Sequence, residues 1–191
     1  MYIVDIIINY FQTNKELYVG EKITISEHML QTAMLAEKSH SSKSLICSCL
    51  LHDIGHFIIE KPDLLVSNSL DGKHEEIGFK LLKNYFKPEV TEPIKLHVQA
   101  KRYLSKNKSY YDLLSNPSKI SLKLQGGIMN DEESQKFTSL KFCRDALMLR
   151  KYDDGGKIPN IKVKKIDDYR DLIISQLIKE NEYHRGVDCV N

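Results

Sequence analysis

Tryptophan is absent from the 191 residues, and glycine (9) and proline (5) are scarce. So few turn formers disfavour a strand-rich sandwich or barrel and favour helices. An excess of charge of one sign is also missing: 28 Lys and Arg stand against 26 Asp and Glu, a net of +2. That balance argues against a dedicated nucleic-acid binder, whose contact face is clearly basic. No apolar run approaches the roughly 18 residues of a membrane span. The opening MYIVDIIINYFQTNKE lacks a basic start and a small-residue cleavage site, and Asp5 and Asn9 interrupt its apolar run. A signal peptide is therefore not expected, and the expected compartment is a reducing cytoplasm. The four cysteines, Cys47, Cys49, Cys143 and Cys189, form no C-x-x-C pair, so neither a zinc knuckle nor a redox dithiol is indicated. Cys47 and Cys49 lie in an apolar stretch and read as small packing residues.

What is present is helical periodicity. Ile3, Ile6, Ile7, Tyr10 and Phe11 recur at helical spacing and predict a helix over 2–13. Residues 14–22 read as a loop with a short helical turn. Thr24 and Glu27 have the spacing of a capping box, so a helix follows to about Lys38. Residues 43–55 are apolar nearly all round, as in a buried helix ending near Gly55. A loop is expected over 61–72, then helices over 73–86 and 89–104. Asn116-Pro117 reads as a cap followed by proline in the first turn, opening a short helix toward Gln125. A long helix is expected over 131–152, acidic at its start, and a last amphipathic one over 167–180. With no repeat, linker or low-complexity tract, the expectation is a single all-α domain over 1–191, a length at which one core is affordable.

His52-Asp53 closes the buried helix, and its company gives it meaning. His28 lies on the preceding helix, His74 and His97 on the following two, and Asp153 at the end of the long one. Imidazole and carboxylate suit iron, manganese and zinc. Adjacent helical residues diverge by about 100°. A carboxylate beside a ligating histidine therefore serves best as a bridge, which places Asp53 between two ions. His28, His52 and Asp153 complete one site, His74 and His97 the other. The second ion is short of protein ligands, which leaves room for substrate or dioxygen. Helical spacing adds a further layer. His56 is four after His52, Lys101 four after His97, and Arg150 three before Asp153. Such a ring of donors around metal ions suits an anion, phosphate-like or carboxylate.

This arrangement resembles the HD-domain superfamily, in which metal-dependent phosphohydrolases stand beside a smaller branch of mixed-valent di-iron oxygenases. Within that branch the chain is most similar to the members that cleave 2-amino-1-hydroxyethylphosphonate. The resemblance runs from about Tyr18 to Leu172. It is carried by Tyr18-Val19-Gly20-Glu21, Ser26-Glu27-His28, Leu50-Leu51-His52-Asp53-Ile54-Gly55-His56, the segment from His97 to Leu104, Gln125-Gly126-Gly127-Ile128-Met129 and Arg150-Lys151-Tyr152-Asp153. It implies an HD-domain helical bundle around a dinuclear site holding two Fe ions, Fe(II)/Fe(III), with dioxygen as co-substrate. His28, His52, Asp53 and Asp153 would hold one iron, and Asp53, His74 and His97 the other. His56, Lys101, Ser118, Ser121 and Arg150 fall where the family binds the phosphonate, with Ser121 standing where threonine is expected. Gln125 belongs to the matching loop without an assigned contact. Tyr18 would occupy the open iron position until substrate arrives, and Glu21 would meet the substrate amine.

The implied reaction is oxidative cleavage of the C–P bond, giving glycine and phosphate. Its partner is a small phosphonate, not a nucleic acid or a membrane, and a 2-oxoglutarate-dependent hydroxylase would supply the α-hydroxy compound without a stable complex. Three alternatives stay open: a phosphohydrolase acting on a small phosphomonoester or nucleotide, an oxygenase for another phosphonate such as hydroxymethylphosphonate, and a module that only binds its ligand.

Overall fold

Among the residues described, ten α-helices form, most of them packed through apolar side chains at helical spacing, and no strand forms beyond two isolated bridges. The computed structural model describes residues 2–18, 20–59 and 71–178. The helices are α1 (Ile3–Thr13), α2 (Ile25–Lys38), α3 (Lys43–Leu51), α4 (His74–Leu82), α5 (Pro88–Leu104), α6 (Lys108–Leu113), α7 (Asn116–Leu124), α8 (Asp131–Thr138), α9 (Cys143–Gly155) and α10 (Arg170–Ser175). Two 3-10 turns, Ile54–Phe57 and Ile166–Tyr169, join them.

Local chemistry sets the starts of the ligand-bearing helices. Thr24 and Glu27 form the expected box: Glu27 N donates to Thr24 Oγ1 (3.1 Å) and Thr24 N to Glu27 Oε2 (2.8 Å). That fixes the first turn of α2, and His28 is the next residue. Pro93 lies inside α5 and leaves the Glu89 carbonyl without its helical donor. Ser48 of α3 reaches this stretch, with Oγ 3.4 Å from Glu89 O and 2.9 Å from Val90 O, and so ties α3 to the helix that carries His97.

The main core joins α1, α2, α3, α4, α5, α9 and α10 through Ile7, Met29, Leu50, Leu51, Leu82, Ile94, Leu149 and Ile173, all wholly buried. Truncating one of these to alanine costs about 2–5 kcal/mol. A smaller cluster gathers Leu96, Ala100, Phe137, Cys143 and Ala146. No helix among the described residues is long and apolar enough to cross a membrane.

The structure departs from the sequence expectations in several places. The stripe that α1 buries is Ile3, Val4, Ile7, Ile8 and Phe11, while Ile6 and Tyr10 are half-buried. The buried helix stops at Leu51, and a 3-10 turn follows Asp53. The helix expected over 73–86 is α4, ending at Leu82. The long helix over 131–152 is two helices, broken at Ser139–Phe142. Thr138 Oγ1 and Ser139 Oγ donate to Ser134 O (2.9 Å) and Lys136 O (2.8 Å), local bonds that compete with helix continuation. The break lets Phe137 and Cys143 face the same small cluster. Helix α6 was not expected. The cap of α7 is Ser115, one residue before the expected Asn116, because the Ser115 hydroxyl accepts from Ser118 N (3.3 Å). The last helix, expected over 167–180, is the second 3-10 turn and then α10, ending at Ser175. Most of the 61–72 loop, His184 and Cys189 lie outside the described residues.

Candidate metal centre and substrate cleft

Four helices and one turn converge on a buried cluster of imidazoles and carboxylates. His28 and His52 are wholly buried, and Asp53, His97 and Asp153 are 1% exposed. The ring orientations are set by backbone carbonyls. Nδ1 donates to Gly156 O from His28 (2.8 Å), to Cys49 O from His52 (2.9 Å) and to Ile94 O from His97 (2.7 Å). Each of these rings therefore turns a bare Nε2 lone pair inward. His74 differs, since its Nδ1 faces Glu75 Oε2 at 3.6 Å.

The inward atoms crowd one another. His28 Nε2 lies 3.2 Å from His52 Nε2, 3.5 Å from Asp53 Oδ2 and 3.3 Å from Asp153 Oδ1. On the other side, His74 Nε2 lies 3.0 Å from His97 Nε2, and these two atoms are 3.3 and 3.6 Å from Asp53 Oδ1. Asp53 Oδ1, Asp53 Oδ2 and Asp153 Oδ1 are buried without a hydrogen-bond partner. With the Nδ1 protons of His28, His52 and His97 committed outward, these groups of acceptors have few donors to share. Buried carboxylates without a counter-charge are costly. Cations among them remove the conflict. His28, His52 and Asp153 form one group able to hold an ion, and Asp53, His74 and His97 form a second. Asp53 presents one oxygen to each side.

Two glycines allow this approach. At Gly55 a Cβ would overlap the backbone carbonyl of His74, so the bare backbone lets α4 start against the turn after Asp53. At Gly156 a Cβ would lie 2.5 Å from Thr32 Oγ1 and 3.1 Å from Thr32 N. Its absence brings the Gly156 carbonyl to His28.

A cleft of about 220 Å³ opens beside the cluster, lined by Tyr18, Glu21, His56, Lys101, Ser118, Ser121, Gln125 and Arg150 among others. This is below the usual drug-sized pocket and fits a small metabolite. Tyr18 stacks on His28 with ring centres 4.5 Å apart, and burial, then the Asp53 charge, raises its phenol well above the ordinary value. His56 stacks on His74 at 4.2 Å, and burial, then the nearby His74, lowers it to about 3. It therefore stands neutral and can donate one N–H. Lys101 is only 4% exposed, and its Nζ donates to Ser121 Oγ (2.9 Å). That leaves two ammonium protons without a partner among the described residues. Burial, then Arg150, lowers Lys101 to about 7. Arg150 borders the cleft, but its guanidinium is engaged: Nη1 donates to Asp153 Oδ2 (2.7 Å), Nη2 pairs with Asp154, and Nε donates to the Tyr110 hydroxyl (3.2 Å). Burial opposes ionisation of Asp153, yet Arg150 foremost holds its carboxyl well below the usual range. Glu21 Oε1 accepts from Ser115 Oγ (2.9 Å), and no cation among the described residues pairs with its carboxylate.

Thus the candidate ligands meet in one cluster and the candidate substrate residues line one cleft. Sequence reasoning missed three participants. Lys157 donates to Ser118 Oγ (3.0 Å), lies 5.5 Å over the Tyr18 ring and comes within 3.9 Å of Asp153 Oδ1. It is four residues after Asp153, the spacing that pointed to His56 and Lys101, but Gly155-Gly156 obscured it. Ser115 holds Glu21. Tyr110 donates to Asp154 Oδ2 (2.5 Å) beside Arg150, from the unexpected α6.

A family model described as HD domain matches residues 25–133, and the chain belongs to that family. Over 170 residues it is 41% identical to hydroxymethylphosphonate dioxygenase of Gimesia maris, covering 87% of this chain and 84% of the relative. It is also 41% identical over 143 residues to [1-hydroxy-2-(trimethylamino)ethyl]phosphonate dioxygenase (glycine-betaine-forming) of Leisingera caerulea, covering 74% and 73%. An uncharacterized protein of Acanthamoeba polyphaga mimivirus is 37% identical over 178 residues, covering 91% and 81%. Together these place the chain among the HD-domain phosphonate dioxygenases.

Proposed function

We propose that the protein uses dioxygen to cleave the C–P bond of 2-amino-1-hydroxyethylphosphonate, or a close α-hydroxyphosphonate, giving glycine and phosphate. The observation that carries this reading is Asp53, whose two buried, unpartnered oxygens face separate pairs of histidine nitrogens. His28, His52, Asp53 and Asp153 would hold one iron, and Asp53, His74 and His97 a second. The ions, when bound, supply the redox chemistry with dioxygen.

The protein's own part is positioning and charge. The free ammonium protons of Lys101 and the hydroxyls of Ser118 and Ser121 bind the phosphonate oxygens, joined by the neutral His56 N–H. Arg150 acts through Asp153, which it keeps ionised and oriented, and adds positive potential at the cleft. Tyr18 covers the cluster until substrate displaces it. Glu21 supports an amine over an uncharged chain, because its carboxylate on the cleft wall has no cation of its own.

The two named relatives act on different phosphonates, and the name of the Gimesia maris enzyme favours hydroxymethylphosphonate as a second reading. Aerobic incubation of the iron-loaded protein with both compounds decides between them. Glycine and phosphate from the aminated one, at a kcat/KM at least about tenfold higher, is the expected result. Phosphate release from a phosphomonoester without oxygen, using Mn2+, would instead establish a phosphohydrolase.

A further inference from the structure

Four polar side chains form a row beside the cleft, and two of them, Glu21 and Ser118, line it. Lys157 Nζ donates to Ser118 Oγ (3.0 Å). The Ser118 and Ser115 hydroxyl oxygens are 3.1 Å apart, and Ser115 Oγ donates to Glu21 Oε1 (2.9 Å). A serine hydroxyl has one proton and two lone pairs. The Ser115 hydroxyl is oriented to donate to both the Glu21 carboxylate and Ser118 Oγ, and the carboxylate, being charged, is the stronger acceptor. One of its lone pairs accepts from Ser118 N (3.3 Å), and Ser118 Oγ accepts from both Ser115 and Lys157. The row thus runs from the ammonium of Lys157 through two serine hydroxyls to the carboxylate of Glu21.

The backbone supports this end of the row. Glu21 N donates to Tyr18 O (2.8 Å), closing a turn. Gly20, at φ +78°, sits so close to α7 that a Cβ would lie 2.5 Å from Pro117 Cγ. The turn that carries Glu21 is therefore seated on the first turn of α7, and Ser115 is the cap of that helix. A glutamate has three rotatable bonds, and holding its carboxylate in one place costs conformational entropy unless something anchors it.

We propose that Ser115 is a specificity-determining positioning residue. It anchors Glu21, so that the cleft, which Lys101 also lines, presents a carboxylate and an ammonium at set positions to a zwitterion bearing a cationic chain end and a phosphonate. This deepens the proposed function and rests on its reading of the substrate class. Ser115 acts through Glu21 and touches no reacting atom.

The test holds the helix cap constant and varies the hydroxyl. Threonine and glycine cap helices about equally well. Ser115→Thr keeps the hydroxyl, and Ser115→Gly removes it. Calorimetry on the metal-loaded protein measures the dissociation constants of 2-aminoethylphosphonate and ethylphosphonate, neither of which carries the α-hydroxyl. The wild type is expected to prefer the amino probe by about tenfold or more. S115T retains that preference and S115G loses most of it. Equal preference in S115T and S115G, an equal loss of both probes in S115G, or no preference in the wild type overturns the proposal. A retained preference in a protein that leaves 2-amino-1-hydroxyethylphosphonate intact under oxygen sinks the proposed reaction and not the role of Ser115.

Discussion

The ligand cluster and the cleft wall beside it are fixed by different means. In the cluster, three of the four ligand imidazoles are oriented by backbone carbonyls that belong to buried helices. In the wall, side chains hold side chains: Lys101 holds Ser121, Lys157 holds Ser118, and Ser115 holds Glu21. Backbone anchors move only if the helices move. Side-chain anchors can be exchanged one at a time without disturbing the packing. A fixed cluster beside an exchangeable wall suits a family whose named members act on different phosphonates.

The sharpest way to break this contrast is Asp53→Ala. It removes the one group facing both halves of the cluster, so both metal ions and all turnover are expected to be lost. Elemental analysis and circular dichroism check this, and a folded variant that keeps both metals and full activity would refute the bridging role. Next comes Gly156→Ala, which presses a methyl against Thr32, its hydroxyl first and then its backbone N, and shifts the carbonyl that orients His28. Metal affinity is expected to fall about 10–100-fold, read from chelator competition. On the wall side, Lys101→Met should leave metal content close to wild type while raising KM for the phosphonate about 10–150-fold. Loss of metal in that variant would erase the distinction between the two regions.

The smallest effect is one of pH. Burial and Arg150 hold the Lys101 ammonium at about 7, far below the ordinary lysine value. The charged form binds the anion and predominates below that point. KM is therefore expected to rise as pH climbs above 7, by at most about tenfold per unit. Arginine stays protonated throughout, so Lys101→Arg should flatten the slope between about pH 7 and 9. An unchanged slope would place the titration elsewhere.

Much of the cluster was legible before any coordinates. The chain order of His28, His52-Asp53, His74, His97 and Asp153 indicated it, and helical spacing added His56 and Lys101. The role of Arg150 was only half legible. Its spacing put it near the site, but only its contacts with Asp153, Asp154 and Tyr110 showed its donors committed there. Lys157 obeyed the same four-residue spacing but lay beyond a glycine pair where no helix was expected. Ser115 gave no signal at all, since a serine before Asn-Pro is common in any loop. The break at Ser139–Phe142 was likewise hidden, because acidic residues at one end and apolar spacing at the other fit one continuous helix.

The sequence by itself determined most of the helices and the identity of the six candidate ligands, because periodicity and residue chemistry are local properties. Tertiary structure decided which lone pairs face inward, which lysine meets which serine, and how Glu21 is held. His52 and His97 bond carbonyls only three residues back, but His28 and Glu21 depend on groups distant in the chain: Gly156 against His28 across 128 positions, and Ser115 against Glu21 across 94. No local pattern encodes such pairs. They follow from the packing of α2, α5, α7 and α9 into one body, with glycines where two backbones must meet.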